Sequence, residues 1–251
     1  MKPSFREAYL KIERANKHVH DLEGYVREFA TSDHCTILIE HDPNGGDDTL
    51  KLESTQTIPE DFLLVLGDAI HNLRSALDYG MHAASTVWDE HTKFPFRGET
   101  RDELIAAING GLKQKAPKEV IDIIVDVIQP YKRGNGHALW CLHQLDIEDK
   151  HRLLIANTKL MFIQGVSCED EAGQKFTIPD WLIVPNATPV RRLEGHRNIK
   201  ITDKGKSALT IIFGDGMPLQ GSAILPMLGQ MTILVNHAVE LMETAFAIAN
   251  P

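Results

Sequence analysis

The sequence lacks the features of secreted, membrane-spanning or disulfide-linked proteins. Its three cysteines, Cys35, Cys141 and Cys168, show no C-x-x-C spacing, which argues against a disulfide framework and a thiolate zinc site. It contains no run of about 18 uninterrupted apolar residues, and its N-terminus is charged where a signal peptide would be apolar. We therefore expect a cytoplasmic protein with no membrane segment.

Positive charge is also scarce. The chain has 26 Lys and Arg against 35 Asp and Glu, a formal net charge of −9, and this charge repels phosphate backbones at long range. Any contact with RNA or a nucleotide must then come from a local patch. One candidate patch is rich in basic residues and comprises Arg191, Arg192, Arg197, Lys200, Lys204 and Lys206. A solvated loop explains the same run equally well.

Signatures of common cofactor and catalytic sites are missing as well. We find no Walker A sequence, no Rossmann fingerprint, no G-x-S-x-G and no H-E-x-x-H motif. We therefore predict no cofactor, and the sequence leaves open whether the protein is an enzyme.

The composition, 43% hydrophobic and 24% charged over 251 residues, is that of an ordinary globular protein. Apolar residues recur at three- and four-residue steps in six segments, which predicts helices at 4–29, 59–87, 100–114, 117–128, 137–156 and 222–249. Alternating or β-branched runs predict a hairpin at 35–57, turning at the glycines of 43–46, and a β-rich region at 158–221.

These elements predict an α+β fold that is mainly α. We expect a single domain, 1–251, built on a helical bundle formed by 1–157 and 222–251. The bundle carries an N-terminal β-hairpin at 35–57 and a β-rich insert at 158–221 before the C-terminal helix. That last helix is apolar nearly all round, which predicts burial in the core or in an oligomer contact.

The second predicted helix carries a polar stripe beside its apolar one. At about 100° per residue, His71, Arg74, Asp78 and His82 fall within a sector roughly 80° wide. Charged groups beside a core are costly to desolvate unless they pair or serve a site. These four residues are therefore candidate site residues.

The helix beginning at residue 137 places two carboxylates, Asp146 and Asp149, among leucines. Each costs several kcal/mol if unpaired, so we expect a cationic or metal partner, with Arg74 the nearest candidate by chemistry. His143 and Asp146 are three residues apart, a spacing that permits both to ligate one ion. His151 follows on the same helix and completes the candidate set.

Three hypotheses remain open for these two helices. The polar groups form a buried salt-bridge network in a non-catalytic interaction module. Alternatively, His and Arg bind or cleave phosphodiesters without a metal. In the third hypothesis, carboxylates and histidines form the metal site of a hydrolase, although no E-x-x-H motif supports it.

Four segments carry a resemblance to known proteins: HNLRSALD at 71–78, FPF at 94–96, IQPY at 128–131 and LDIEDKHRLL at 145–154. They resemble an uncharacterised family of bacterial and phage proteins. More distantly, the helices bearing Arg, Asp and Lys-His are similar to the HEPN superfamily of helical bundles. Many HEPN proteins are RNA-cleaving toxins or defence effectors, and others are non-catalytic binders.

The HEPN resemblance implies a homodimer and an RNA or nucleotide ligand. It also implies an Arg-x(4–6)-His motif on one helix, whereas seven residues separate Arg74 from His82 here. The nearest functional positions it implies are Arg74 and His82, or Lys150, His151 and Arg152 with the two aspartates as supports. We therefore expect a cleft lined by His71, Arg74, Asp78, His82, Asp146, Asp149 and His151.

Overall fold

A computed structural model describes residues 4–31, 35–54, 58–96, 98–182 and 190–250, which form a mixed α and β fold. The helices are α1 (Phe5–Thr31), α2 (Glu60–Ala83), α3 (Arg101–Gly111), α4 (Lys118–Asp122), α5 (His137–His151) and α6 (Ile224–Ala249). The strands are β1 (Cys35–Glu40), β2 (Thr49–Ser54), β3 (Ala156–Gln164), β4 (Ser167–Glu169), β5 (Lys175–Thr177), β6 (Trp181–Leu182), β7 (Val190–Arg192), β8 (Lys200–Asp203) and β9 (Lys206–Phe213). A π-helical segment, Ile123–Ile128, continues directly from α4.

The chain divides into two compact units. The helical unit contains the described parts of Met1–Glu23, Pro59–Ala156 and Phe213–Pro251. The strand unit contains those of Gly24–Ile58 and Asn157–Ile212. The hairpin thus groups with the strands of the insert, whereas the sequence grouped it with the helices. Backbone pairing is the reason, because β2 pairs antiparallel with β7 of the insert.

Helix α2 is the central element of the helical unit. Pro59 precedes its first residue, and Glu60 and Asp61 occupy its first turn, where carboxylates are favoured by the helix dipole. The predicted apolar stripe is buried and comprises Phe62, Leu66, Ile70, Leu73 and Leu77. Helices α5 and α6 both pack against α2. This packing brings the polar residues of α2 and α5 onto neighbouring helices.

Helices α3 and α4 lie where two short helices were predicted. Thr100 caps α3 with a capping box, because its side chain accepts from the Glu103 backbone N–H while the Glu103 carboxylate accepts from the Thr100 N–H. Helix α5 ends at His151, five residues before the predicted end. Arg152 is extended there, with φ −162° and ψ 157°, because the chain is turning into β3.

The strand unit contains three small sheets in its described part, with strand orders β1-β2-β7, β6-β3-β9 and β5-β4-β8. Gly45 has the predicted positive φ, 75°, in the turn between β1 and β2. The strands β4 and β7 lie within the predicted β-rich region at 158–221, but with three residues each they carry too little periodicity to be recognised individually. The core of the unit consists of Leu50, Ile163, Val166, Cys168, Ile178, Leu193 and Ile199.

Helix α6 is the most apolar helix. One side is buried in the helical unit through Leu228, Met231, Val235, Val239 and Met242. Ile233 and Ile248 are instead 70% and 69% exposed. Among the described helices, only α6 is long and apolar enough to cross a membrane. Of its most apolar stretch, 33% is buried. The core helices of soluble proteins meet the same requirements of length and composition.

Candidate functional site

A cavity of about 660 Å³ lies within the helical unit. Its walls come from α2, α3, α5 and the extended segment that follows α2. The principal lining residues are His71, Arg74, Ser75 and Asp78 of α2, Lys93, Phe94 and Phe96 of the extended segment, Ala106, Ala107, Gly110 and Gly111 of α3, and His143, Asp146 and Lys150 of α5. The cavity thus collects ionisable groups from two helices that each also face the core.

Arg74 lies at the centre of one wall. Its side chain is only 9% exposed, its Nε donates to His143 Nδ1 at 3.1 Å, and its guanidinium carbon lies 4.3 Å from the Phe96 ring centre. Nη1 is 2.7 Å from Asp78 Oδ1, an ion pair by distance. The same buried Nη1 makes no aligned hydrogen bond. Nη1 is thus enclosed beside Asp78, and Arg74 contributes its positive charge to the cavity wall.

His143 is held in its neutral form. Burial, and then the positive charge of Arg74, lowers the pKa of His143 from 6.5 to about 4. The hydrogen bond agrees with this direction, because Nδ1 accepts from the Arg74 guanidinium and so carries no proton. The ring also stacks on Phe96, with centroids 4.8 Å apart and an angle of 12°. His143 therefore orients Arg74 rather than supplying positive charge.

The extended segment is fixed to α2 by one hydrogen bond. The Phe94 backbone N–H donates to Asp78 Oδ1 at 2.9 Å. Phe94 and Phe96 are both buried, and their rings lie 4.8 Å apart. Because Phe96 is buried and its ring already contacts Arg74 and His143, this ring supports the site and offers no stacking surface to a ligand.

The second charged centre is Asp146, which is 2% exposed. Its Oδ1 lies 2.9 Å from His71 Nδ1, and its Oδ2 accepts from Lys150 Nζ at 2.5 Å. His71 Nε2 in turn lies 3.4 Å from Ser75 Oγ. The His71 side chain is 52% exposed, so a buried carboxylate orients an imidazole that is accessible from the cavity.

The lining residues carry a local positive charge. The cationic side chains are Arg74, Lys93 and Lys150 and the carboxylates are Asp78 and Asp146, which leaves +1 with the histidines neutral. The whole chain carries −9. Lys93 has no ion pair or hydrogen bond among the residues that the structure describes. An anionic ligand is thus favoured here although the protein as a whole is acidic.

Four of the seven predicted site residues line the cavity: His71, Arg74, Asp78 and Asp146. The expected pairing of Arg74 with the α5 carboxylates is wrong. Arg74 pairs instead with Asp78, one turn away on its own helix. Asp146 is satisfied by His71 and by Lys150. The i, i+4 spacing allows the two ion pairs within single helices, whereas helical periodicity does not predict the contact of Asp146 with His71 across a helix interface.

Asp149, His82 and His151 do not line the cavity. Asp149 lies against Gly67, where a Cβ would be 2.3 Å from Oδ1, and burial and the charge of nearby carboxylates raise its pKa. His82 stacks on Trp88 with centroids 6.0 Å apart. His151 is exposed at the end of α5. These three residues therefore do not share the cavity with the other four predicted site residues.

Ser75, Lys93 and Phe96 were not predicted from the sequence as site residues, and His143 was predicted only as a candidate metal ligand. Ser75 follows Arg74 and lies on the polar side of α2, so helical periodicity also predicts that Ser75 lies near the candidate residues of this helix. Lys93 and Phe96 follow α2 in an extended segment with no periodic signal. The helix α3 was predicted from the sequence, but the position of its small residues in the cavity wall was not.

Other predicted sites receive less support. Among the described residues, no group of three or more His, Cys, Asp or Glu side chains is arranged to hold a metal ion. In the basic patch, Arg191 donates to the Pro179 carbonyl at 3.1 Å and Arg192 pairs with Asp47 at 3.2 Å. These arginines are therefore already engaged within the strand unit, and the cavity is the better candidate for binding an anion.

Comparison of the chain with protein-family models, with curated proteins and with solved structures returned no match. The functional argument therefore depends on the cavity and its side chains.

Proposed function

We propose that the protein is a HEPN-like helical protein that binds RNA or a nucleotide in this cavity and cleaves a phosphodiester there, in a toxin or phage-defence role in the cytoplasm. One observation carries the proposal. The buried Arg74 guanidinium lines a cavity whose charge is positive in an acidic protein, and Lys93 of the same lining has no partner among the described residues. Phosphate oxygens satisfy guanidinium donors with favourable geometry.

The groups needed for cleavage without a metal lie beside Arg74. Asp146 holds His71 through Nδ1, so that Nε2 is left to exchange a proton with a reacting oxygen. Arg74 and Lys93 stabilise the negative charge that develops on the phosphoryl oxygens. The chemistry therefore requires only protons and fixed charge, which the described cavity residues supply.

A steric variant tests whether the ligand occupies the cavity. A Cβ at Gly110 meets nothing within 4 Å, so the side chain of Gly110→Leu starts in open space on the α3 wall. We expect titration calorimetry with adenosine 5′-monophosphate and a short oligoribonucleotide to show binding that Gly110→Leu weakens at least about 10-fold. Gly24→Leu is the matched control, because a Cβ there also meets nothing within 4 Å and this α1 residue does not line the cavity.

The rival function is a non-catalytic interaction module in which the same polar groups only specify helix packing. It is favoured by the burial of Arg74 and Asp146. It predicts no saturable nucleotide binding by the native protein. It also predicts that Arg74→Ala loses about 3–5 kcal/mol of stability, the cost of breaking a buried ion pair. Calorimetry on the native protein therefore separates the two functions, because saturable nucleotide binding is expected only of the proposed one.

A carboxylate/His metal-dependent hydrolase is the remaining alternative. Asp146 would be a ligand of that metal, but both of its oxygens already contact cationic or imidazole groups. Elemental analysis of the purified protein tests this alternative, and stoichiometric zinc, manganese or iron would favour it over the metal-free site.

We propose further that two copies of the chain associate through α6. The support is the exposure of Ile233 and Ile248 on a helix whose other side is buried. Large exposed aliphatic side chains on one helix are favourable contacts for a second copy. Light scattering coupled to gel filtration should show a dimer that Ile233→Asp dissociates, and a monomeric native protein would contradict the dimer.

A further inference from the structure

Three cavity side chains form a connected series that the proposed function does not use in full. Asp146 Oδ1 contacts His71 Nδ1 at 2.9 Å, and His71 Nε2 contacts Ser75 Oγ at 3.4 Å. A nucleophile and its base are often this far apart in an enzyme without substrate. All three side chains line the cavity. The series has the order hydroxyl, imidazole, carboxylate.

The hydrogen-bonding roles follow from the chemistry of the end groups. A carboxylate of Asp146 only accepts, so Nδ1 of His71 carries the proton and donates it. The second ring nitrogen, Nε2, is then a free acceptor that faces the Ser75 hydroxyl. Lys150 holds the other Asp146 oxygen, which fixes the carboxylate and therefore the ring. This arrangement presents a base to a hydroxyl group.

The other hydroxyl groups near the end of α2 have backbone partners instead. Ser85 Oγ is buried and donates to the Met81 carbonyl at 2.8 Å. Thr86 Oγ1 donates to the Lys115 carbonyl at 3.0 Å. Ser75 therefore differs from its neighbours in facing an imidazole nitrogen and a cavity.

We propose that Ser75 is a nucleophile activated by His71, with Asp146 as the positioning residue, and that the cavity cleaves phosphodiesters through a covalent intermediate in which Ser75 Oγ is one of the two ester oxygens on phosphorus. This inference rests on the proposed function for its substrate class and extends it. A serine nucleophile does not need the ribose 2′-hydroxyl, so deoxynucleotide and simple alkyl phosphodiesters are substrates as well as RNA.

Protons and bonds balance in two steps. In the first, a bond forms between Ser75 Oγ and phosphorus while the bond from phosphorus to the leaving oxygen breaks. The hydroxyl proton passes to His71 Nε2 and from there to the leaving oxygen. In the second, water gives a proton to Nε2 and attacks phosphorus, and the P–Oγ bond breaks. Ser75 recovers its proton from Nε2, and a phosphate monoester is released.

An alkyl fluorophosphonate tests the nucleophile without requiring the natural substrate. Oγ attack forms the P–O bond and expels fluoride, and the adduct remains on the serine. Mass spectrometry of the intact full-length protein should show one adduct, and peptide fragmentation should place it on Ser75. Ser75→Ala should abolish labelling, whereas Ser85→Ala should label as the native protein does.

Two further variants test the base and its positioning residue. His71→Gln should slow labelling about 100-fold, the usual contribution of a general base. Asp146→Asn should slow labelling in protein that remains folded by circular dichroism, and Asp146→Glu should restore part of the rate. A purely structural role for Asp146 would change the melting temperature without changing the labelling rate of the folded fraction.

The outcomes separate this inference from the proposed function. Absence of an adduct on Ser75, or native labelling rates in His71→Gln, would overturn the nucleophile even if nucleotides bind in the cavity. Labelling at Ser75 together with no nucleotide binding would support the nucleophile and overturn the nucleotide ligand. Because Ser75 is half-buried and His71 half-exposed, both variants are expected to fold.

Discussion

His71 and Asp146 are 75 positions apart in the sequence, yet His71 Nδ1 and Asp146 Oδ1 are separated by 2.9 Å. The contact joins α2 to α5 at the cavity. It gives a buried carboxylate an imidazole partner and gives the imidazole a fixed orientation. Both the proposed function and the inference about Ser75 depend on this contact.

The two aspartates of α5 should respond oppositely to neutralisation. Asp146→Asn removes a buried charge from between His71 and Lys150, and we expect a loss of about 2–3 kcal/mol. Asp149 has a raised pKa, because burial and neighbouring carboxylates disfavour its ionised form, so Asp149→Asn should be neutral or stabilising by up to about 1 kcal/mol at pH 7. Urea unfolding at pH 7 measures both, and equal destabilisation would contradict the assignment.

Acid should destabilise the fold through His143. Its pKa is lowered from 6.5 to about 4 in the native state, so the unfolded chain binds a proton that the folded chain excludes. The stability that the neutral form of His143 provides is fully present above about pH 6.5. It declines as the pH falls to about 4, and no further stability is lost below that pH. Since the ring is partly exposed, we expect a loss of about 2 kcal/mol.

The control for this pH dependence is His143→Gln. A glutamine oxygen still accepts from Arg74 Nε but does not titrate. Chemical denaturation at several pH values should therefore show a flatter stability profile between pH 4 and 6.5 for the variant. Identical profiles would mean that His143 is not the group responsible.

A substitution at Gly67 tests how closely α2 packs against α5. A Cβ at Gly67 would lie 2.3 Å from Asp149 Oδ1, so the carboxylate must rotate away, and Gly67→Ala should cost up to about 1 kcal/mol after the gain in helix propensity. Gly110→Ala is the matched control, because its Cβ meets nothing, and it should stabilise the protein by up to about 1 kcal/mol. Thermal unfolding measures both changes. Adding Asp149→Ala to Gly67→Ala should recover stability, whereas simple additivity would place the strain elsewhere.

Lys93 should contribute charge to ligand binding without contributing to the fold. It is exposed and has no ion pair among the residues described, so Lys93→Ala should leave the melting temperature unchanged. We expect oligoribonucleotide affinity to fall about 10-fold and the slope of log affinity against log salt to decrease by about 1. Lys113→Ala, an exposed lysine outside the cavity lining, is the control, and an equal effect there would indicate non-specific attraction.

Much of the helical framework was predictable. The periodic apolar stripes placed α1, α2 and α6 within a few residues of their observed bounds, because long amphipathic segments carry many repeats of the signal. The turn at Gly45 was predictable because its positive φ favours glycine. The π-helical segment after α4 was not, since its hydrogen bonds span one residue more than those of an α-helix while its apolar pattern predicts a continuous helix.

The candidate site was predictable only in part. His71, Arg74 and Asp78 followed from their spacing on one helix, and Asp146 from its place among leucines. Lys93 and Phe96 did not, because they lie in an extended segment whose position is determined by the hydrogen bond between the Phe94 backbone and a carboxylate of α2. A single sequence contains no signal for such a contact.

The sequence by itself determined the helical segments, the polar stripe on α2 and the carboxylates among the leucines of α5, because side-chain direction along one helix follows from its 3.6-residue period. Only the tertiary structure decided that Asp146 pairs with His71, that Arg74 donates to His143, and that α3 lines a cavity with them. The physical reason is that contacts between helices depend on how their side chains interlock, which the period of neither helix contains.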